Sequence, residues 1–121
     1  TDKIKNASSV MDLLTVHDKH SDAFNGINLG AFWVLLGKFA QTDKSWWQKH
    51  KNTMESLHET IIVNMPLSDA RSCSSIAYGM ARAGVYKQRS IGAWKSFAAI
   101  SKQSLVHLND FNSQNFANTV W

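Results

Sequence analysis

Phe24-Asn25-Gly26-Ile27-Asn28-Leu29-Gly30 is the most informative segment for predicting the fold, because its pattern recurs along the chain. The later segment Phe111-Asn112-Ser113-Gln114-Asn115-Phe116-Ala117 repeats the order phenylalanine, asparagine, two variable residues, asparagine, an apolar residue and a small residue. Between them, Ser68-Asp69-Ala70-Arg71-Ser72-Cys73-Ser74 fits the same frame, 44 residues after the first copy and 43 before the last. A period of this length indicates a helical-repeat protein.

Each copy predicts the start of a helix, which we name an A helix. Asparagine and aspartate are favoured N-caps because their side-chain oxygens accept the free amide groups of the first turn. The predicted caps are Asn25, Asp69 and Asn112. Phe24 and Leu29 have the spacing of a hydrophobic staple, as do Phe111 and Phe116, whereas the middle copy has Ser68 in the phenylalanine position. Gly84 is the predicted stop of the second A helix.

A second helix, B, is predicted after each A helix. Ser45-x-x-Gln48 is a capping-box pattern that marks the start of the first B helix. Its apolar face repeats 44 residues later, pairing Trp47 with Ile91, Met54 with Ala98, and Ile61 with Leu105. The second B face also includes Trp94 and Leu108. An earlier helix, from about Asn6 to His20, holds the position of a preceding B helix, and its apolar side carries Val10, Leu13, Leu14 and His17.

We therefore predict an all-α fold, a short α-solenoid of antiparallel helix pairs with about two and a half repeats. Residues 1–121 form a single domain, with units 24–67, 68–110 and a truncated 111–121, and with 1–23 as the end of a preceding unit. An irregular helical bundle is the alternative. The side chains expected to be mostly buried are Phe32, Leu36, Trp47, Ile61, Met80 and Trp94.

Composition and chain ends bear on the class of protein, its compartment and its processing. Hydrophobic residues make up 44% and charged residues 18% of the chain, which is typical of a globular protein. The longest apolar run, 27–40, is too short to span a bilayer and predicts a buried helix. Cys73 is the single cysteine, which indicates a reducing compartment. Because the chain starts at Thr1 and stops at Trp121 within an apolar pattern, we expect a processed or incomplete chain.

Several segments resemble one family of helical repeats. Ile4-Lys5-Asn6-Ala7 with Leu13-Leu14, the 24–29 stretch and Leu36-Gly37-Lys38 resemble the opening of octotricopeptide-repeat arrays. Residues 111–121 resemble the repeat signature shared with FAST-kinase-like and RAP-associated proteins, and 76–84 is similar to a variant of it with Tyr78 where tryptophan is common. The resemblance implies an organellar protein, chloroplast or mitochondrial, soluble or peripheral to a complex. It also implies RNA binding in transcript maturation or translation, or a structural role in an organellar machine.

No catalytic residue, metal site or cofactor is predicted. His17-x-x-His20 and Glu55-x-x-His58 have spacings seen in metal sites, but each lacks partner ligands. We therefore interpret His17 as a core-edge histidine and the Glu55–His58 pair as a solvated helix face. Cys73 falls in the A-helix core pattern, as a buried small apolar residue. The sequence has no nucleophile-elbow motif and no phosphate-binding glycine loop, so we predict that the protein is not an enzyme.

Two features are candidates for RNA contact. The first is a column of equivalent polar positions on the A helices, with basic residues near the helix ends: Asn28, Ser72 and Asn115, then Ser75 and Asn118 one turn on, with Lys38 and Arg82. Its alternative interpretation is close helix packing through small polar residues. The second is the segment 44–51, in which Trp46 is the predicted exposed ring beside Lys49 and Lys51. Its alternative is a basic, solvated helix start.

Two functions follow as hypotheses. The net charge of +4 and the pI of about 9.4 fit an anionic partner such as RNA, an acidic protein or a lipid headgroup, and equally a protein with spare lysines. The first hypothesis is a non-catalytic organellar module that binds single-stranded RNA. The alternative is a structural or accessory subunit that packs against protein subunits of a ribosome or of a photosynthetic or respiratory assembly. No small-molecule substrate is evident. At one base per repeat, the chain would read only about two or three bases.

Overall fold

The computed structural model describes residues 2–108, and every described element is helical. The α-helices are α1 Asp2–Lys5, α2 Val10–His20, α3 Gly26–Phe39, α4 Trp46–Lys49, α5 Lys51–Asn64, α6 Ala70–Arg82 and α7 Ile91–Val106. Short 3-10 turns follow four of them, at Ser21–Ala23, Ala40–Thr42, Met65–Leu67 and Val85–Lys87. The all-α prediction is confirmed for this part of the chain. Asn112, Asn115 and Asn118 lie outside the described residues.

The two A-helix starts within the described range are confirmed. The Asn25 side chain accepts a hydrogen bond from the Asn28 amide at 2.9 Å, and Asn28 Oδ1 accepts one from the Asn25 amide at 3.1 Å. Asp69 accepts from the Ser72 amide at 2.8 Å. These bonds satisfy amide groups that a helix start otherwise leaves free. At the other end of α6, Gly84 has φ +79°, the left-handed conformation that favours glycine.

The missing phenylalanine of the middle copy has a steric reason. Ser68 is buried, and its hydroxyl donates to the Asn64 carbonyl at 2.8 Å. A Cβ added at Gly26 would lie 2.7 Å from Ser68 Oγ, so the starts of α3 and α6 are in direct contact. A phenylalanine at position 68 would occupy the space that Gly26 now fills.

The A helices α3 and α6 lie side by side and run in the same direction. Gly26 lies against Ser68 at one end, and Gly37 lies against Gly79 and Arg82 at the other. This pair makes the most extensive interhelical contact of the described chain. Phe32, Leu36 and Met80 are buried between these helices and their neighbours, as predicted.

The B helices form a second layer. His17 of α2 lies 2.8 Å from the Thr60 hydroxyl of α5, and His58 of α5 lies 2.9 Å from the Ser96 hydroxyl of α7. The helices α5 and α7 also run in the same direction, because Gly92 lies beside His58 whereas Gln103 donates to the Ser68 carbonyl at 2.9 Å. The Ile61 side chain is buried in α5, which confirms that core prediction.

Two predicted helices differ from the observed ones. The helix expected from about Asn6 begins only at Val10, after the separate short helix α1, because Asp12 accepts from the Ser8 amide and hydroxyl at 3.0 and 2.8 Å and Ser9 caps α2. Serine and aspartate side chains compete in this way with helical backbone bonds. The first B helix is divided at His50 into α4 and α5, and the Ser45 side chain makes no cap bond. The capping-box prediction at Ser45 is therefore wrong.

The predicted rotation of the second B helix is also wrong. Ile91, Trp94 and Leu105 are 74%, 71% and 72% exposed, and Ala98 and Leu108 are exposed too. The buried positions of α7 are Ala93, Ser96 and Ile100. Small residues there let α7 approach α5 closely, and the His58–Ser96 bond fixes its rotation. Close packing through small side chains has overridden the apolar periodicity.

Candidate nucleic-acid interface

The predicted A-helix column does not form an open face within residues 2–108. Ser72 is buried, and its Cα lies 3.9 Å from a Cβ built at Gly30. Ser75 is half-buried, with its Cβ 3.2 Å from the same point. Asn28 is half-buried and engaged in the α3 cap. Ser72 and Ser75 therefore serve close helix packing, as in the alternative interpretation of the column, whereas Asn28 serves the helix cap.

Trp46 is not the exposed ring that the sequence predicts. It is fully buried, and its indole Nε1 donates to the Ala83 carbonyl at 3.0 Å. Trp47 is instead the half-buried member of the pair and packs at the margin of the core. The indole of Trp46 reaches the end of α6. Its hydrogen bond to Ala83 therefore favours burial of Trp46 over burial of Trp47.

Two connections between A and B helices lie side by side. They comprise residues 38–51 and 82–90, and the Trp46 bond to Ala83 joins them. Gln41 Nε2 also donates to the Arg82 carbonyl at 2.8 Å, and Lys44 O lies 4.0 Å from a Cβ built at Gly84. The ends of α3 and α6 and the starts of α5 and α7 therefore meet at one edge of the molecule.

This edge is strongly basic. We define the basic edge by the side chains of Lys38, Lys44, Lys49, Lys51, Arg82, Lys87 and Arg89. All are exposed except Arg82, which is half-buried. Asp43 is the single acidic residue in these two segments, and its Oδ1 lies 3.4 Å from Lys49 Nζ. Four residues of the sequence-based prediction, Lys38, Lys49, Lys51 and Arg82, thus belong to one surface.

The opposite edge lacks a comparable excess of basic side chains. There the B helices end and the A helices begin, over residues 18–26 and 64–71. Asp18, Asp22 and Asp69 lie there with the basic residues Lys19 and Arg71, and Lys3 Nζ lies 3.2 Å from His20 Nε2. Acidic and basic side chains are therefore nearly balanced at this edge, in contrast to the basic edge.

Tyr86 is a candidate contact that the sequence reasoning missed. Its ring is 64% exposed, in the turn between α6 and α7, and Lys87 Nζ lies 5.8 Å from the ring centroid. Arg89 lies two residues after Lys87. An exposed ring among cations has the arrangement with which proteins stack a nucleobase and hold its phosphate. The signal was present in Tyr86-Lys87-Gln88-Arg89, an aromatic among basic residues after a glycine stop.

A shallow depression lies at the break between α4 and α5. Its volume is about 400 Å³, and Gln48, Lys49, His50, Lys51, Asn52 and Thr53 line it. Each of these side chains carries a hydrogen-bonding group, and two of them are lysines. The depression therefore offers donors for an anionic group at the end of the basic edge.

The histidines with metal-like spacing have structural partners. The Thr60 hydroxyl donates its proton to the Ser56 carbonyl. In the bond between His17 Nε2 and Thr60 Oγ1, the histidine is therefore the donor. His58 is buried, which corrects its interpretation as part of a solvated face; its Nε2 lies 2.9 Å from Gln88 Oε1. Burial lowers the pKa of both rings; Asp18 opposes this at His17, and Gln88 and Glu55 oppose it at His58. Within residues 2–108 no group of three His, Cys, Asp or Glu side chains is placed to hold a metal ion.

Cys73 is enclosed in the core, as predicted. Burial, with the Asp69 carboxylate nearby, raises the pKa of the thiol to about 11. The thiol therefore stays protonated near neutral pH, and a protonated thiol is a poor nucleophile.

Comparison with known proteins does not place the chain in a family. No family model matches it, and neither a curated protein nor a solved structure does. Among residues 2–108, no helix has the length and apolar character needed to cross a membrane. The octotricopeptide-repeat resemblance stays a prediction.

Proposed function

We propose that this protein is a non-catalytic helical-repeat module that binds single-stranded RNA along its basic edge. The observation that carries the proposal is the collection of seven basic side chains on one edge, with Asp43 as the single acidic residue among them. Lysine and arginine bind the phosphate backbone and release its counterions. The Tyr86 ring supplies a platform for one base.

The architecture that we propose is a short α-solenoid. Its support is that α3 and α6 run in one direction in one layer, and α5 and α7 run in one direction in the other. The caps Asn25 and Asp69 stand 44 residues apart and start equivalent helices. In such an array each further unit would add another connection to the basic edge.

The organellar setting follows from the resemblance to octotricopeptide-repeat proteins. Because Ser72 and Ser75 are engaged in helix packing and Asn28 in capping, the proposed contact is directed mainly at phosphates and at stacked bases. Such contacts position a strand without reading much of its sequence. Selective binding would then need a longer array or a complex.

The test is the salt dependence of RNA binding. We expect a fluorescein-labelled oligouridine to bind the chain with an affinity that falls steeply as salt rises. The triple variant Lys44→Ala, Lys51→Ala, Lys87→Ala should flatten the slope of log affinity against log salt by about 2, since each lost contact to a single strand accounts for about 0.7. The matched control replaces three basic residues away from the basic edge, Lys3, Lys19 and Arg71, by alanine. Equal losses in both triple variants would exclude the basic edge as the RNA site.

A second measurement addresses the stacking platform. Tyr86→Ala should weaken the oligouridine complex by roughly 1–3 kcal/mol, whereas Tyr86→Phe, which keeps the ring, should change it little. Tyr86 is exposed, so neither substitution should alter the fold. If Tyr86→Ala leaves the affinity for oligouridine unchanged, Tyr86 does not stack on a base, and only the phosphate contacts of the proposal remain.

The second candidate function is a structural or accessory subunit of a large organellar complex. One observation favours it: the outer side of α7 exposes large apolar side chains, including Trp94. In a native particle this role predicts that a polypeptide contacts α7 while the basic edge carries no RNA. Finding RNA on the basic edge of that particle would favour the first function.

A further inference from the structure

The last described helix, α7, exposes an apolar stripe that its sequence periodicity predicts to be buried. The stripe consists of Ile91, Trp94, Ala98 and Leu105 of α7, all exposed. At 3.6 residues per turn these positions fall within an arc of about 60° on one side of the helix. Single exposed apolar residues are ordinary, whereas several large ones on one side of a helix indicate an interaction surface.

The position of the stripe continues the layer of B helices. The helix α5 has a neighbour in this layer on each side, α2 through His17–Thr60 and α7 through His58–Ser96. The residues of α7 that face α5, Gly92 and Ser96 among them, lie roughly 150° around the helix from the stripe. The stripe therefore faces the place where the next helix of the layer would lie.

The basic side chains beside the stripe indicate which kind of helix can pack against it. Lys95 and Lys102 are exposed and lie within about 40° of the stripe, on the side of Ile91. The helix α7 contains no acidic residue. A helix that buries the stripe would bring its own flanking side chains against these two lysines, so carboxylates there are favoured and ammonium groups are disfavoured.

A second copy of this chain does not match that description. Two α7 helices face to face would oppose lysines with lysines. The other end of the layer, α2, does carry acidic residues, but Met11 is its single exposed large apolar side chain. It offers no stripe to fill the surface around Trp94.

We propose that the α7 stripe is a docking site for an amphipathic helix of a partner protein, with an apolar stripe bordered by glutamate or aspartate. Trp94 is the proposed anchor, because it is the largest exposed side chain of the stripe and tryptophan is enriched among the residues that dominate binding energy. Recognition of an apolar helix face through residues spaced by three and four is an established mode of peptide binding. This interface uses side chains distinct from those of the basic edge.

The test uses the full 121-residue chain and designed peptides. The probe is a fluorescein-labelled helical peptide of 18 to 20 residues, with leucine at positions three and four apart and glutamate on both borders. A second peptide keeps the leucines and replaces every glutamate by lysine. We expect the glutamate peptide to bind at least tenfold more tightly by fluorescence anisotropy. The double variant Lys95→Glu, Lys102→Glu should reverse that preference.

The anchor is tested with matched controls. Trp94→Ala and Leu105→Ser should each weaken the glutamate peptide at least tenfold. Val63→Ser and Leu67→Ser, at apolar residues that are 63% and 93% exposed elsewhere, should leave its affinity unchanged. Circular dichroism and oligouridine binding of each variant verify that the chain is still folded and that its basic edge is intact.

Three outcomes would overturn the proposal. Unchanged peptide affinity in Trp94→Ala would show that the stripe is not the docking site. Self-association of the unliganded chain, seen by light scattering and abolished by Trp94→Ala, would assign the stripe to a second copy. Trp94-dependent binding to vesicles of phosphatidylglycerol and phosphatidylcholine, without discrimination between the two peptides, would assign it to a membrane surface.

Discussion

At the scale of single residues, two tryptophans of identical size have opposite energetic roles. Trp46 is enclosed by the core and bonded to Ala83, whereas most of the Trp94 ring is in solvent. Truncating a packed tryptophan removes its burial and leaves a cavity. A surface truncation costs little, because the folded state loses few contacts.

We therefore expect Trp46→Ala to lower the free energy of unfolding by about 3–5 kcal/mol. Trp94→Ala should change it by about 0.5 kcal/mol or less. Urea unfolding followed by circular dichroism measures both on the same scale, and Trp46→Phe, which keeps most of the apolar volume, should lose less than Trp46→Ala. A large loss for Trp94→Ala would mean that the stripe on α7 is buried in the folded chain.

The caps are a second residue-scale feature. Asn25→Ala removes the acceptor for the Asn28 amide and should cost about 1 kcal/mol of unfolding free energy. Asn25→Asp keeps an acceptor oxygen at the same place and should retain most of the stability. Equal behaviour of the alanine and aspartate variants in urea unfolding would argue against a capping role for Asn25.

At the scale of elements, the contact between α3 and α6 depends on glycine. A Cβ added at Gly79 would overlap the Trp33 carbonyl, which is backbone and cannot move alone. At Gly37, an added Cβ would lie 2.9 Å from the Gly79 carbonyl oxygen. The two helices therefore approach each other backbone to backbone over these positions.

We expect Gly79→Ala to destabilise the fold. Alanine improves helix propensity by about 1 kcal/mol over glycine. The steric overlap forces the helices apart, and overpacking costs about 1–3 kcal/mol. Because Trp33 is fully buried, its backbone has little room to retreat, and we expect the overlap to win. A higher urea midpoint for Gly79→Ala than for the parent chain would show that the helices separate easily.

At the scale of the whole molecule, two buried histidines join the B layer. His17 links α2 to α5, and His58 links α5 to α7. Burial lowers the pKa of both rings below the ordinary value of 6.5. The unfolded chain then binds protons at a higher pH than the folded chain does, so stability falls as the pH drops below about 6.5.

We expect the urea midpoint to decrease between pH 7.5 and pH 5.5. His58→Gln, which keeps hydrogen-bonding groups but does not titrate, should reduce that dependence. His50→Gln is the control, since His50 lies at the helix break outside the core. An unchanged pH dependence in His58→Gln would mean that other groups are responsible.

Local sequence patterns were enough to predict the helical class, the starts of α3 and α6 and the end of α6. These depend on local chemistry: Asn25 and Asp69 bond amides three residues away, and Gly84 adopts the left-handed conformation within its own turn. Four of the basic contact candidates were also chosen from the sequence, because charge near a helix end needs no knowledge of packing. The buried A-helix side chains Phe32 and Leu36 of α3 and Met80 of α6 followed from the apolar face of each helix.

Which sides of the helices are covered depends instead on packing between distant parts of the chain. Trp46 enters the core because the end of α6 supplies a carbonyl for its indole, and neither residue is near the other in sequence. The α7 stripe remains in solvent because Gly92, Ala93 and Ser96 fit closely against α5 and His58 holds that rotation. Periodicity identifies the apolar side of a helix, but long-range contacts determine which partner covers that side. Long-range contacts also bring together segments 38–51 and 82–90, which form the basic edge.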